Sequence, residues 1–230
     1  MNLFLQDVGE GCYNFTGAGY LLIVVLMIAA LCVVSFFINK DGKNRMSVKQ
    51  LTVSALCIAL AFVLSNVKLF SAPMGGSVTF LSMFFVTYIG YLYGPRVGIS
   101  SAFAYGLLQM IVDPYIISVP QLLCDYILAF TALGLAGFFY EKKNGMITGY
   151  LVGILGRYVF SILSGVIFFA DYAPEGMSPF VYSALYNGAY IAIEGVITIV
   201  VMLIPAVHSA LNRIKTEANE KNLRKAVSLG

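Results

Sequence analysis

The chain has 230 residues, of which 60% are hydrophobic and only 11% are charged, and its mean hydropathy is +0.87. Soluble domains carry about 25% charged and roughly 45–50% apolar residues. The apolar residues here also lie in long runs, and runs of ~20 apolar residues cross a bilayer as helices. The composition therefore excludes an ordinary soluble domain and predicts an all-α polytopic membrane protein.

Seven apolar segments are predicted to cross the membrane as helices. In chain order they are Gly19–Asn39, Val48–Val67, Val78–Tyr93, Arg96–Val112, Val119–Tyr140, Met146–Phe169 and Ser178–Ala206. The third and fourth segments are short, and the Gly94-Pro95 dipeptide between them indicates a tight turn.

These segments divide the chain into three predicted parts. Residues 1–47 are expected to form an extracellular N-terminus, an extra transmembrane helix and a basic cytoplasmic linker. Residues 48–206 are expected to form a six-helix membrane domain, and residues 207–230 a charged cytoplasmic tail. The first apolar segment follows an acidic stretch and has no A-x-A sequence just after it, so we interpret it as a retained helix rather than a cleaved signal.

The basic residues of the predicted loops determine the expected orientation. All of them except Lys68 fall on one side of the membrane if every segment crosses it. Because cytoplasmic loops are enriched in Lys and Arg, we expect a multi-pass plasma-membrane protein with its N-terminus outside and its tail in the cytoplasm. The residues on that side are Lys40, Lys43, Arg45, Lys49, Arg96, Lys142, Lys143, Arg213, Lys215, Lys221, Arg224 and Lys225.

Three charged residues lie inside predicted spans: Asp125, Arg157 and Glu194. Charges within a membrane are costly and are therefore candidates for a functional site. Arg157 and Glu194 are expected to neutralise one another across the last two spans, because buried charges usually pair, and contact with a ligand is the alternative for both. Asp125 has no obvious basic partner and suits a cationic ligand, although a structural partner is the alternative.

Aromatic residues cluster at the predicted outer ends of the spans. This pattern is typical of the aromatic belt at a membrane interface, but it also fits an aromatic cage around a desolvated cation. Asn187 adds a side chain that both donates and accepts hydrogen bonds, and it shares a helical face with Glu194. The aromatic residues are Tyr115, Tyr126, Phe168, Phe169, Tyr172, Tyr182 and Tyr186.

Ala55 and Ala59 are small residues four positions apart in the second span. This spacing lets two helices approach closely. The spacing alone leaves two interpretations open, namely packing within the bundle and an exposed docking face for a membrane partner.

Several short stretches of the chain occur together in an informative order. They are Leu51-Thr52, Tyr93-Gly94-Pro95-Arg96, Tyr115, Gln121–Phe130, Gly156-Arg157-Tyr158, Ser178–Ser183 and Tyr186-Asn187-Gly188. In this order and spacing the chain from about Gln50 to Ile204 resembles the substrate-binding S-components of energy-coupling factor (ECF) vitamin importers, and most closely their thiamine-specific ThiT branch.

The resemblance implies a six-helix bundle that binds its vitamin near the outer face. It also implies partners, a transmembrane coupling subunit and two cytoplasmic ATPases, with docking through Ala55 and Ala59. The whole subunit would topple in the membrane to release its ligand inward. Asp125 would face the cation of thiamine, the aromatics would stack on its rings, and Asn187 would bond to the pyrimidine. The substrate-binding residues implied by the resemblance are Asp125, Tyr126, Tyr115, Tyr182 and Asn187.

The chain also departs from this family. The family usually has Glu where this chain has Asp125, and His where it has Ser161, and it uses Trp in the pocket, whereas this chain contains none. These departures leave open whether the ligand is thiamine or a phosphorylated, truncated or other cationic relative. The aromatics nearest the places of the missing Trp are Phe168, Phe169, Phe103 and Tyr105.

Other functions fit parts of the same sequence. A solitary ion-coupled secondary transporter would use Asp125, Arg157 and Glu194 as a proton path, and an S-component for a different vitamin is a further alternative. An enzyme is not expected, because His208 is the only His and no catalytic motif occurs. There is no Walker A motif, and neither a cofactor, a metal nor a nucleic acid is expected.

Overall fold

The computed structural model describes residues 3–9, 12–22, 24–26, 29, 46–111 and 114–227. At the N-terminus a two-stranded antiparallel sheet, β1 (Leu5–Gly9) and β2 (Cys12–Phe15), precedes a short apolar helix over Gly17–Leu26. Most of the predicted first span, Gly19–Asn39, lies outside the described residues, as do the basic residues that follow it, Lys40, Lys43 and Arg45.

Six apolar helices follow between Val48 and Leu203, where every residue but 112 and 113 is described. The four longest, α1, α4, α5 and α6, have the length and hydropathy to cross a membrane. This helical membrane architecture confirms the predicted fold class. The six helices are α1 (Val48–Ser65), α2 (Ser82–Tyr93), α3 (Pro95–Gln109), α4 (Val119–Phe139), α5 (Gly145–Phe168) and α6 (Pro179–Leu203).

The chain begins α1 at one end of the bundle with a capping box. The Ser47 hydroxyl accepts a hydrogen bond from Gln50 N–H, and Gln50 Oε1 accepts one from Ser47 N–H. Between α1 and α2 lies a hairpin of β3 (Lys68–Ser71) and β4 (Ser77–Thr79), which we call the hairpin. The third predicted span, Val78–Tyr93, is therefore wrong at its start, because an apolar strand precedes the helix.

α2 lies at the centre of the bundle, and all of its residues except Phe85 and Tyr93 are buried. A helix that is apolar all round must be covered on every side, and α2 packs against α1, α3, α4 and α5. With 12 residues it is only about 18 Å long, which is shorter than the ~30 Å hydrocarbon core of a bilayer. Its N-terminus therefore lies within the depth of the bundle.

Glycines let α2, α3 and α4 approach one another closely. A Cβ at Gly98 would lie 2.6 Å from Gly90 Cα, and one at Gly90 would lie 2.7 Å from Gly137 N. Gly94, with φ +87°, and Pro95 form the turn between α2 and α3, as predicted. Small residues at such crossings are typical of helix packing in membranes.

The last predicted span, Ser178–Ala206, is broken at Ile204, whose backbone is extended, and a separate helix α7 (Pro205–Val227) follows. α7 packs against the C-terminal half of α2, at the end of the bundle that we call the tail end. Tyr88 OH donates to Leu211 O at 2.7 Å, and Asn219 Nδ2 donates to Leu92 O at 3.1 Å.

Lys215 joins α7 to two other helices at the tail end. Its ammonium lies 3.5 Å from the centroid of the Tyr91 ring and donates to the carbonyl oxygen of Tyr140 at the end of α4. Burial against these groups lowers the pKa of Lys215. The predicted tail is thus largely a helix that caps the bundle.

Candidate functional site

A cavity of about 140 Å³ lies at the opposite end of the bundle, which we call the pocket end. It is lined by the hairpin and by residues of α3, α4, α5 and α6. At this end α4 and α6 begin and α5 ends, so the cavity is built from helix termini and from the side chains one to three turns further in.

The hairpin forms one wall of the cavity through Met74, Gly75, Gly76, Ser77 and Thr79. Tyr186 of α6 fixes its tip, because Gly76 N–H donates to the Tyr186 hydroxyl at 3.0 Å and that hydroxyl donates to Pro73 O. The same tip packs against Tyr115, which lies in the segment before α4. A Cβ on Gly75 would lie only 2.9 Å from Tyr115 Cβ.

Glu194 of α6 fixes the inner end of the hairpin. Its side chain is buried, and Oε2 accepts hydrogen bonds from the Thr79 hydroxyl at 2.6 Å and Thr79 N–H at 3.2 Å. Oε1 accepts from the Ser82 hydroxyl and from Met83 N–H, both at 3.1 Å. A carboxylate is stabilised at the N-terminus of a helix, where unpaired N–H groups and the helix dipole meet it.

The expected pairing of Arg157 with Glu194 is wrong. Among the described residues no ion pair joins them, and the only ion pair found there is Arg213–Glu217, on the surface of α7. The physical reason is that the N-terminus of α2 and two hydroxyl groups satisfy the Glu194 carboxylate without a cation.

Asp125 lines the cavity from a π-helical turn of α4, Leu123–Leu128. Such turns occur frequently at functional sites because they redirect side chains. Gln121 Nε2 donates to Asp125 Oδ2 at 2.7 Å and to Tyr115 O at 3.1 Å, so the amide orients the carboxylate. Within the described residues no basic side chain forms an ion pair with Asp125, which leaves its charge for a ligand.

The aromatic residues predicted for the site mostly reach the cavity. Tyr115, Tyr126, Tyr182 and Phe169 line it, and the Tyr115 and Phe169 rings stack with centroids 5.9 Å apart. Tyr115 N–H donates to the Tyr126 hydroxyl at 2.9 Å. Phe168 is half-buried and is not among the lining residues, because neighbouring residues at a helix end point in different directions.

Asn187 and Ser161 also line the cavity, at the contact between α5 and α6. Asn187 Nδ2 donates to Ser183 O at 3.0 Å and to Ser161 O at 3.3 Å, while Asn187 Oδ1 accepts from Tyr190 OH at 2.6 Å. The amide is therefore already bonded to the protein. It joins two helices of the cavity wall, and its Oδ1, which accepts one hydrogen bond here, has a second lone pair for a ligand donor.

Arg157, a functional candidate for which the sequence favoured pairing with Glu194 over contact with a ligand, lies at the site. Its guanidinium carbon lies 4.3 Å from the centroid of the Phe130 ring, and both residues line the cavity. Tyr105, the fully buried aromatic expected near a missing Trp, lines it as well, whereas Phe103 does not. The signal for Arg157 is its position inside a predicted span, which marks a buried charge but does not identify its partner. Other lining residues, which the sequence analysis did not assign to the site, are Lys68, Gln109, Gln121, Phe130 and Tyr190.

Ala55 and Ala59 lie on the exposed face of α1. The residues of α1 that face the bundle are Ser54, Cys57, Ala61 and Ser65. Ala55 and Ala59 therefore do not pack within the bundle. Their neighbours on the exposed face are apolar and include Leu56 at 60% and Val63 at 61% exposure.

Comparisons with known proteins give one consistent result. The family described as Thiamine transporter protein (Thia_YuaJ) matches residues 51–213, which run from α1 into α7. The thiamine transporter ThiT of Bacillus subtilis is 31% identical over 164 residues, covering 64% of this chain and 85% of that protein. ThiT of Lacticaseibacillus paracasei is 29% identical over 119 residues, covering 44% of this chain and 59% of that protein.

A solved structure of ThiT from Listeria monocytogenes superposes on this fold with a TM-score of 0.56 and 25% sequence identity. The superposition covers 69% of this chain and 96% of that one. The part of the chain that is similar therefore contains the helices that line the cavity.

The four hydrogen bonds at Glu194 generate a prediction about stability. In Glu194→Gln an amide N–H₂ replaces one carboxylate oxygen and faces donors, so we expect the free energy of unfolding to fall by about 1.5–3 kcal/mol. Thermal unfolding of the detergent-purified protein, followed by circular dichroism at 222 nm, measures the effect.

The matched control is Glu217→Gln on the exposed surface of α7, where the ion pair with Arg213 is solvent-exposed. Exposed pairs contribute little, so this variant should unfold within a degree or two of the wild type. Equal unfolding temperatures for Glu194→Gln and the wild type would contradict the role given to Glu194.

Proposed function

The chain belongs to the thiamine transporter protein family, and on that premise we propose that it is the S-component of an ECF importer, a subunit that captures thiamine or a closely related cation. The observation that carries this proposal is the Asp125 carboxylate, which lines an aromatic cavity and has no ion-pair partner among the described residues. Capture is proposed to occur at the pocket end, with no catalysis by the chain itself.

The chemistry of the cavity suits a flat organic cation. A carboxylate shielded from water attracts a positive charge far more strongly than one in bulk solvent. The faces of aromatic rings attract a desolvated cation by up to ~2 kcal/mol or more. Asp125 is therefore proposed to face the charged ring of the ligand, with Tyr115, Tyr126 and Tyr182 against its ring faces.

The distribution of charge supports a pocket end that faces the outside. Apart from Lys68 on the hairpin, the described basic residues of the loops and of α7 lie at the tail end, where α2 and α4 end and α5 begins, and cytoplasmic segments are enriched in Lys and Arg. We place the tail in the cytoplasm and the N-terminus outside. The residues concerned are Lys49, Arg96, Lys142, Lys143, Arg213 and Lys215.

Transport is proposed to require partner subunits. The sequence contains no Walker A motif, so ATP hydrolysis would be supplied by two cytoplasmic ATPases. A transmembrane coupling subunit would bind the exposed face of α1, where Ala55 and Ala59 let a partner helix approach closely.

Titration calorimetry of thiamine into the detergent-purified chain tests the function directly, since the chain has no Trp for fluorescence quenching. We expect one-to-one binding without ATP, with Kd in the nanomolar range or about −12 kcal/mol. Absence of heat with thiamine and with thiamine monophosphate would overturn the proposal. Uptake by the chain alone in vesicles, abolished by an uncoupler, would indicate an ion-coupled transporter instead.

Asp125→Asn is expected to weaken thiamine binding by about 2–5 kcal/mol, because one partner of a buried charge pair is lost. The same titration measures the loss. Asp171→Asn is the matched control, since Asp171 is an exposed carboxylate at the same end of the bundle that does not line the cavity. If both variants bound thiamine equally well, Asp125 would be removed from the site.

Ala59→Phe is expected to abolish thiamine uptake by the assembled transporter while leaving the Kd of the isolated chain unchanged, because bulk on the exposed face of α1 prevents close helix approach. Uptake of radiolabelled thiamine in cells co-expressing the partner subunits provides the readout. Ala192→Phe, at an exposed position of α6, is the control. A weakened Kd for Ala59→Phe would assign α1 to the binding site rather than to docking.

A further inference from the structure

Arg157 is a charged residue inside a membrane helix that has no polar partner in the described part of the chain. Its Nε is buried and makes no hydrogen bond, and its one mapped contact is the Phe130 ring at 4.3 Å. A charge within the bilayer depth is costly unless a partner or water meets it. A cation–π contact of ~0.5–2 kcal/mol does not satisfy the buried Nε–H, and the terminal N–H groups of the guanidinium make no hydrogen bond to a described residue.

The two carboxylates nearest in the bundle do not fill this role. Glu194 is bonded to the hairpin and to the N-terminus of α2. Asp125 is oriented by Gln121, and no ion pair links Asp125 to Arg157 among the described residues. Arg157 nevertheless lines the same cavity as Asp125.

The positions of the two charges along the bundle differ. Asp125 lies six residues inside the start of α4, about 9 Å from the pocket end at 1.5 Å per residue. Arg157 lies eleven residues inside the end of α5, about 16 Å from the same end. The cavity therefore has a negative group nearer its mouth and a positive group nearer its floor.

A site that receives a cation alone would gain nothing from the second group, because a buried like charge repels the ligand. An arginine facing a cavity is instead suited to oxygen acceptors, and above all to phosphate.

We propose that Arg157 is a second ligand-binding residue, whose guanidinium binds an oxygen group of the ligand, a hydroxyl or a phosphate ester, while Asp125 binds its cation. This inference rests on the proposed capture of thiamine or a thiamine-related cation. It makes the cavity selective for molecules that carry an oxygen group in addition to the cation.

A cycle of ligands and variants tests the inference by calorimetry. The ligands are thiamine, thiamine monophosphate and an analogue of thiamine with ethyl in place of hydroxyethyl. The variants are the wild type and Arg157→Met, which keeps an unbranched side chain but removes the charge, the N–H donors and the guanidinium carbon that contacts Phe130. Arg213→Met on the exposed surface of α7 is the control and should bind all three ligands as the wild type does.

Arg157→Met is expected to weaken thiamine at least tenfold, because a hydrogen bond to a charged donor is lost. The ethyl analogue, which has no oxygen, should bind the variant at least as tightly as it binds the wild type, since a repelling charge has been removed. A larger loss for the monophosphate than for thiamine supports the phosphate as the group that Arg157 binds, and equal losses support the hydroxyl oxygen.

Arg157→Lys, which keeps the charge but not the planar fork, is the conservative variant. It should recover part of the monophosphate binding, and it keeps the test open if Arg157→Met does not fold. Equal losses for all three ligands, or none for any, would overturn the role of Arg157 while the proposed function stands. Failure of the wild type to bind any of the three ligands would overturn the proposed function, and this inference with it.

Discussion

The contact between Glu194 and the N-terminus of α2 is the interaction on which the rest of the site depends. α2 is too short to cross a bilayer, so its first N–H groups lie inside the bundle, where water is not at hand to bond them. Glu194 supplies both the acceptor and the negative charge that a helix N-terminus favours. The same carboxylate accepts from Thr79, so the inner end of the hairpin is placed by the bond that satisfies the helix.

Three features of the cavity follow from this one placement. The hairpin, fixed by Glu194 at its inner end and by Tyr186 at its tip, becomes a wall of the cavity rather than a solvent loop. Glu194, the partner that charge pairing predicts for Arg157, is bonded to the hairpin and α2 instead. Asp125, on the other side of the cavity, is oriented by an amide rather than neutralised by a cation. The satisfied carboxylate thus leaves two unlike charges facing one space.

The helices of the membrane domain could be predicted from the sequence because a membrane span depends on the hydropathy of consecutive residues, which the sequence gives directly. The sequence placed the turn at Gly94-Pro95 and brought Asp125, Tyr126, Tyr115 and Tyr182 into one site. These residues could be identified because the resemblance and the position of a charge within a span both pointed to them.

The predictions that were wrong concern contacts between residues that are distant along the chain. From the sequence, the expected partner of Glu194 is a residue of opposite charge. In the structure its partner is the N-terminus of a helix, whose free N–H groups belong to the backbone and are not identified by any residue type. In the same way, the π-helical turn that carries Asp125 and the contact of Lys215 with Tyr91 arise from packing between segments far apart in sequence.

Ser161 links the departures from the family to the unpaired arginine. It lies one turn from Arg157 on α5, so the two side chains share a face of the helix, and both line the cavity. The family resemblance implies His at this place, whereas this chain has a small, buried Ser side chain there. The Asp125 side chain is shorter than Glu by one methylene, so its carboxylate lies closer to the backbone of α4 than a Glu carboxylate would. Both departures thus put a shorter side chain than the family's beside a group proposed to bind the ligand, and we expect them to change which thiamine-related cation the cavity prefers.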